Sequence, residues 1–253
     1  MNTKSLFVLT IFVVLTTAAG LAQDATQQAS NATLPNAPSA VMAQEQNATQ
    51  QNSSDLKGKQ TKRILGIVPN FRSVSADVKL PPESVKEKFL ETTQDSFDYS
   101  SFIFVGILAG VSQLEDSTPE FHQGAAGYGR YYWHTFVDQA DENYQVEFFL
   151  PAALHQDPRY YTLGHGGVFK RTAYAFSRVL ITRTDAGGET FNSSEIVGAG
   201  AAAGISGLYY PSVDHTWTKT GQRWLLNVSL DGGTFIFKEF WPDINSSIFH
   251  QKY

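Results

Sequence analysis

Between residues 155 and 167 the chain reads His-Gln-Asp-Pro-Arg-Tyr-Tyr-Thr-Leu-Gly-His-Gly-Gly, its richest polar stretch. His155 and Asp157 stand two apart and His165 follows ten residues later. Such imidazole and carboxylate groups could meet on a divalent ion if the connection folds back on itself. The spacing matches no tight metal motif, and Asp157 before Pro158 equally suits a capped turn. The reading therefore assigns no metal and no cofactor. It carries His155, Asp157, Arg159, His165, Arg178 and Asp185 forward as a candidate polar site.

Other patterns point to chemistry more weakly. Gly164, Gly166 and Gly167 ahead of Lys170 and Arg171 suggest a glycine loop feeding a helix N-terminus, an arrangement that holds phosphate. No Gly-Lys-Ser/Thr follows and no strand is expected before it, so a nucleotide loop is not indicated. Ser177-Arg178 with Arg183 and Asp185 resembles part of the acid-phosphatase signature of membrane lipid phosphatases. The histidine needed after Arg178 is missing, and the arginines are expected to pair with Asp157, Asp185, Glu189 or Glu195. Ser206 lacks the Gly-x-Ser-x-Gly context of a hydrolase nucleophile and reads as small-residue packing. Asp138, Glu142 and Glu147 fall within three turns of one helix, as paired glycosidase carboxylates might be asked to, but helix-surface carboxylates are ordinarily solvated.

These residues hang on helices. Pro82, Glu83, Val85, Phe89 and Leu90 predict a short amphipathic helix. Tyr99 to Leu114 and Glu195 to Tyr210 predict two helices apolar on nearly every side, and such helices are buried in protein or in lipid. Each carries glycines four apart, Gly106/Gly110 and Gly200/Gly204, which we read as faces where another helix docks closely. Gly124 to Gln156 is the clearest amphipathic helix: Trp133, Phe136, Val137, Ala140, Tyr144 and Phe148 mark its core face, and Pro151 should kink or end it. Val168 to Thr182 predicts another. Residues 224–238 fit either a hairpin through Asp231-Gly232-Gly233 or a helix, and the helix is preferred because no sheet is expected for a hairpin to join. The expected fold is an all-α single domain of about five glycine-bearing helices, with a C-terminal β-hairpin as the alternative.

Composition sets the outer limits. The chain has 253 residues, 42% hydrophobic and 17% charged, with net charge −5, which excludes a wholly unfolded chain and a strongly basic nucleic-acid binder. Lys4, an apolar run from Leu6 to Leu15 and the small residues Gly20 and Ala22 have the grammar of a signal peptide over residues 1–22, so the mature chain is expected to begin at Gln23. Residues 23–63 are rich in Gln, Asn, Ala, Ser and Thr and read as an unfolded tether closed by Lys57, Lys59, Lys62 and Arg63. The helical domain is then residues 64–253. Cysteine is absent, so packing must hold that domain together.

The stretches Arg63 to Asn70, His155 to Tyr161, Ser177 to Asp185 and Lys238 to Ile244 together resemble a family of secreted or envelope proteins of Gram-negative bacteria. That resemblance implies no activity, ligand or catalytic residue. The expectation is an exported, envelope-associated helical protein with a non-catalytic role, in the periplasm or peripherally on a membrane. A periplasmic metal-dependent hydrolase built on His155, Asp157, Arg159 and His165 is the alternative, as is a lipid or glycan module presenting Tyr131, Tyr132, Trp133 and Trp217. A membrane or envelope surface is the expected partner; the small-molecule ligand is left open.

Overall fold

The computed structural model describes residues 59–249 apart from Asp77. The expected signal peptide, its cleavage point and most of the tether lie outside the described residues. The chain is mostly helical, as the all-α reading required.

Among the described residues seven α-helices follow one another, each begun or ended by local chemistry. Helix α1, Val85–Ser96, starts at a reciprocal capping box in which Ser84 and Glu87 satisfy each other's backbone N–H, leaving Pro82 and Glu83 just ahead of it. Helix α2, Tyr99–Leu114, is capped by the Asp98 carboxylate accepting from Ser100 N. Arg63 grips the same carboxylate at 2.6 Å. These hydrogen bonds, led by that from Arg63, hold the Asp98 pKa down at about 2. Helix α3 spans Gly124–Asn143 and runs without a break into a π turn, Tyr144–Phe149, and then α4, Leu150–Leu154. Pro151 neither ends nor sharply breaks this helix. Its ring would collide with the carbonyl four residues back in an α-helix, and the wider π turn ahead of it, closed by Leu150 N donating to Gln145 O, makes room.

Helix α5 covers Val168–Ser177 and stops short of the expected Thr182. The β-branched run Ile181–Thr184 instead forms β6, which pairs antiparallel with β7, Glu189–Phe191. Gly187 in the intervening turn sits at φ 87°, where L side chains are strained. Strand β4, Gln156–Asp157, adds to β6 on its other side. The remaining strands are two residues long: β1 (Arg63–Ile64) pairs with β2 (Val68–Pro69), and β3 (Ser73–Val74) lies parallel to β5 (Tyr160–Tyr161). Helix α6 is Ser193–Ser206, with the Asn192 side chain as N-cap accepting from Glu195 N, and it ends short of the expected Tyr210.

Helix α7 runs unbroken from Trp217 to Phe249, so residues 224–238 are helix and not hairpin. Asp231-Gly232-Gly233 is no turn. A Cβ on Gly232 would lie 3.0 Å from the Phe176 ring, so the glycine makes a shallow seat where α5 rests on α7. Pro242 within α7 leaves the Lys238 carbonyl without its helical donor, and Gln60 Nε2 supplies one at 2.6 Å. Trp241 Nε1 donates to Thr61 Oγ1. Residues 60 and 61, placed in the tether by composition, thus strap the last helix.

The burial pattern is inverted. Val105, Ala109, Ala175, Ala199 and Trp241 are buried, but so are Arg72, Lys88, Thr92, Glu195 and Glu239, while Phe102, Ile103, Phe104, Ile107 and Leu114 of α2 stand exposed. Helix α2 was expected to be buried in protein or in lipid. Among the described residues one face of it is covered, chiefly by α3. Tyr128 and Tyr132 of α3 donate to the carbonyls of Gly106 and Phe102. A Cβ on Gly106 would stand 3.1 Å from the Tyr128 hydroxyl, and one on Gly110 3.9 Å from its ring, so this glycine pair does form a contact face. The second pair divides: Gly200 lies against Trp224, whereas no described atom outside the helix backbone stands within 4 Å of a Cβ on Gly204. The close approach of α6 is at Gly198, where a Cβ would be 3.0 Å from Val146 and 3.2 Å from the Gln145 carbonyl.

Candidate functional site

The six residues singled out in the sequence do not converge. Asp157 accepts from Arg159 Nε, Nη2 and backbone N and from the Tyr161 hydroxyl. Although burial works against it, these bonds hold its carboxyl below the usual range. Arg159 also faces Glu83 at 3.3 Å, and the Arg183 guanidinium covers the Tyr161 ring at 3.9 Å. Asp185 is engaged by Lys88, whose Nζ lies 2.9 Å from both carboxylate oxygens. His155 ends α4 in a left-handed conformation, its side chain exposed and 3.9 Å from Asp185. Arg178 pairs with Glu189 at 2.8 Å. His165 is exposed and bonds only the nearby Leu163 carbonyl. The stretch is a structural junction, and the hydrolase constellation built on it does not assemble.

The glycine loop does hold an anion, but it is the chain's own. Glu239, fully buried, accepts from Leu163 N at 2.9 Å, Gly164 N at 3.0 Å, the Tyr160 hydroxyl at 2.6 Å and Arg171 Nε at 2.8 Å. Arg171 also binds Asp243 and the Glu239 carbonyl. Leu163 N, Gly164 N and Arg171 are thus engaged by the chain's own carboxylates.

What the fold does bring together is a column of ionisable groups on the inner side of α3. His134, Asp138, Glu142 and Glu147 are spaced four, four and five apart. Four residues make slightly more than one α turn, and the π turn takes up the extra residue before Glu147. The carboxylates expected to be solvated turn inward instead, and Trp133, expected in the core, is exposed. His134 is buried, its Nδ1 2.7 Å from the Arg130 carbonyl and its Nε2 3.2 Å from that of Tyr209. Asp138 accepts three hydroxyls, from Ser206, Tyr209 and Tyr210. The two tyrosines therefore point inward, and burial followed by the Asp138 charge raises both phenols.

Lower in the column the partners come from other helices. Glu142 faces Asp231 and the neutral Asn227 of α7; burial above all, then the charges of Asp231 and Asp138, lifts its pKa to about 9. Glu195 of α6 faces Asp231 and is raised well above the carboxylate range, again chiefly by burial. Burial likewise brings Asp231 to about 6. Glu147 lies 3.2 Å from Arg72, which Asp95 and Glu83 approach at 3.4 and 3.5 Å. Burial lifts both Asp95 and Glu83 to about 7. Arg72 donates its Nη2 to the Lys88 carbonyl and Thr92 Oγ1. Its Nε and Nη1, and oxygens of Glu83, Asp95, Glu142, Glu147 and Glu195, have no hydrogen-bond partner among the described residues. No group of three described side chains is arranged to hold a metal ion.

A pH dependence follows. A carboxyl whose pKa is higher folded than unfolded keeps a proton that the unfolded chain has lost, so its stabilisation is complete below about pH 4 and disappears as pH rises through the folded value. Glu83, Asp95, Glu142, Glu195 and Asp231 all have that sign, whereas Asp98 and Asp157 contribute above the ordinary carboxylate range and lose their contribution in strong acid. Urea unfolding should show greatest stability near pH 4–5 and a decline from pH 5 to 9, about 1.4 kcal/mol per pH unit for each proton the unfolded chain has released. Stability rising over that interval would contradict the assignment. Comparison with protein-family models, curated proteins and solved structures finds no match for the chain, so the functional reading rests on this geometry.

Proposed function

We propose that this is an exported, envelope-associated helical protein with a non-catalytic role, which lays its apolar outer faces into one side of a membrane. One observation carries the reading. Helix α2 contains no charged residue and exposes Phe102, Ile103, Phe104, Ile107 and Leu114, beside Phe89, Leu90 and Phe97 exposed at α1 and its end. An apolar surface of that kind on a domain whose interior holds Arg72, Lys88 and Glu195 favours a lipid contact over a watery one. Among the described residues no single helix is long and apolar enough to cross a membrane, and α1 with α2 passes that test only as a pair bent by 52°. Seating in one leaflet suits that geometry better than spanning.

Vesicle flotation and fractionation test it. The full chain should float with vesicles and resist release by salt and carbonate. Ile103→Glu with Ile107→Glu should weaken vesicle binding more than tenfold, since burying each such side chain contributes about 1.5–3 kcal/mol. Protein found wholly in the periplasmic extract without detergent, and absent from floated vesicles, would defeat the reading.

A further inference from the structure

We propose that Glu142, Glu195 and Asp231 form a proton-binding site, loaded at neutral pH, where α3, α6 and α7 meet. The site goes beyond the lipid reading and does not depend on it. Glu195 and Asp231 face each other between α6 and α7. Ionised carboxylates only accept, so two of them have no donor to share unless one carries a proton. Glu195 is 2% exposed, and its Oε1 has no partner among the described residues; a carboxylate left so would be costly, and a protonated acid is much less so. The surroundings offer too little positive charge to hold three anions. Asp138 and Glu147 face the site from α3 and the π turn, Lys238 and the neutral Asn227 from α7, and Glu91 and Asp95 flank Glu147 from α1. Arg72, the other cation close by, already faces Glu83, Asp95 and Glu147. Glu142 Oε1, like Glu195 Oε1, is buried without a hydrogen-bond partner among the described residues. Loss of the stored protons would set like charges against one another across the contact between α6 and α7.

Infrared spectroscopy of the full-length protein decides the matter. At pH 7 the folded wild type should show the carbonyl stretch of a protonated carboxylic acid, shifted in heavy water. Glu142→Gln, Glu195→Gln and Asp231→Asn each keep the shape of the protonated acid, so they should fold, and the band should shrink in Glu142→Gln and Glu195→Gln. Glu120→Gln, at an exposed position, should leave it unchanged. A folded wild type without the band overturns the proposal. So does a band undiminished in all three variants, a Glu195→Gln chain that cannot fold at pH 7, or a purified chain carrying a stoichiometric metal ion on ionised carboxylates.

Discussion

Replacing Arg72 with methionine should destabilise the folded chain by about 3–5 kcal/mol at pH 8, and by clearly less at pH 5. Arg72 is 2% exposed and is the cation facing Glu83, Asp95 and Glu147 at 3.2–3.5 Å. Methionine fills much of the same volume, so the loss is electrostatic more than steric. At pH 8 Asp95 and Glu147 would lose the guanidinium that faces them, and Glu83 would be left with Arg159 alone. At pH 5 Glu83 and Asp95, both already near 7 and raised further without the guanidinium, can take up protons instead. The bonds to the Lys88 carbonyl and Thr92 disappear at either pH and set the remaining cost. Urea unfolding at the two pH values measures the difference. A penalty equal at both would mean that Arg72 acts through those neutral bonds alone.

Gly198→Leu should cost at least about 3 kcal/mol or prevent folding, while Gly204→Leu should be neutral or stabilising by up to about 1 kcal/mol. The two glycines lie in one helix six residues apart but meet different surroundings. At Gly198 even a Cβ would press on Val146 and on the backbone of Gln145, and a π turn fixed on its other side by Pro151 cannot retreat. Gly204 is exposed, and leucine there gains the helix propensity that glycine lacks. Thermal unfolding of both variants tests the contrast; equal tolerance would show that α6 can slide on the π turn.

The helices were largely legible in the sequence, because hydrophobic spacing, the first-turn Pro82 and the glycine content agree on them. The helical state of residues 224–238 was legible only by default, on the expectation that there is no sheet to join, and the three-stranded sheet of β4, β6 and β7 removes that ground. Which way the helices face was not. Trp133, Phe136 and Tyr144 look like a core stripe and Asp138 and Glu142 like a wet one, as they would in a domain with a dry apolar centre. Here Asp138 is drawn inward by three hydroxyls from Ser206, Tyr209 and Tyr210, more than 60 residues away. Periodicity carries no information about such partners. The same holds for Glu239, whose role in closing the glycine loop depends on Tyr160 and Arg171. The sequence does carry one signal of the inward column: the four-four-five spacing of His134, Asp138, Glu142 and Glu147 aligns only if the helix gains a residue, and Pro151 is the kind of obstacle that makes a helix do so.

That gained residue bears on how the chain can change in length. The turn at Asp185 to Gly188 joins two strands over water, and a residue added there costs a small fraction of a kcal/mol in closure entropy. Within Tyr144–Phe149 the same edit has no cheap remedy. Removing one residue would restore ordinary α winding and swing everything beyond it by about 100°, carrying the Glu147 carboxylate away from Arg72. It would also drive the Pro151 ring onto the carbonyl four residues behind and take the flat stretch at Gln145 and Val146 from under Gly198. Substitution can be absorbed at most of these six positions; insertion or deletion cannot.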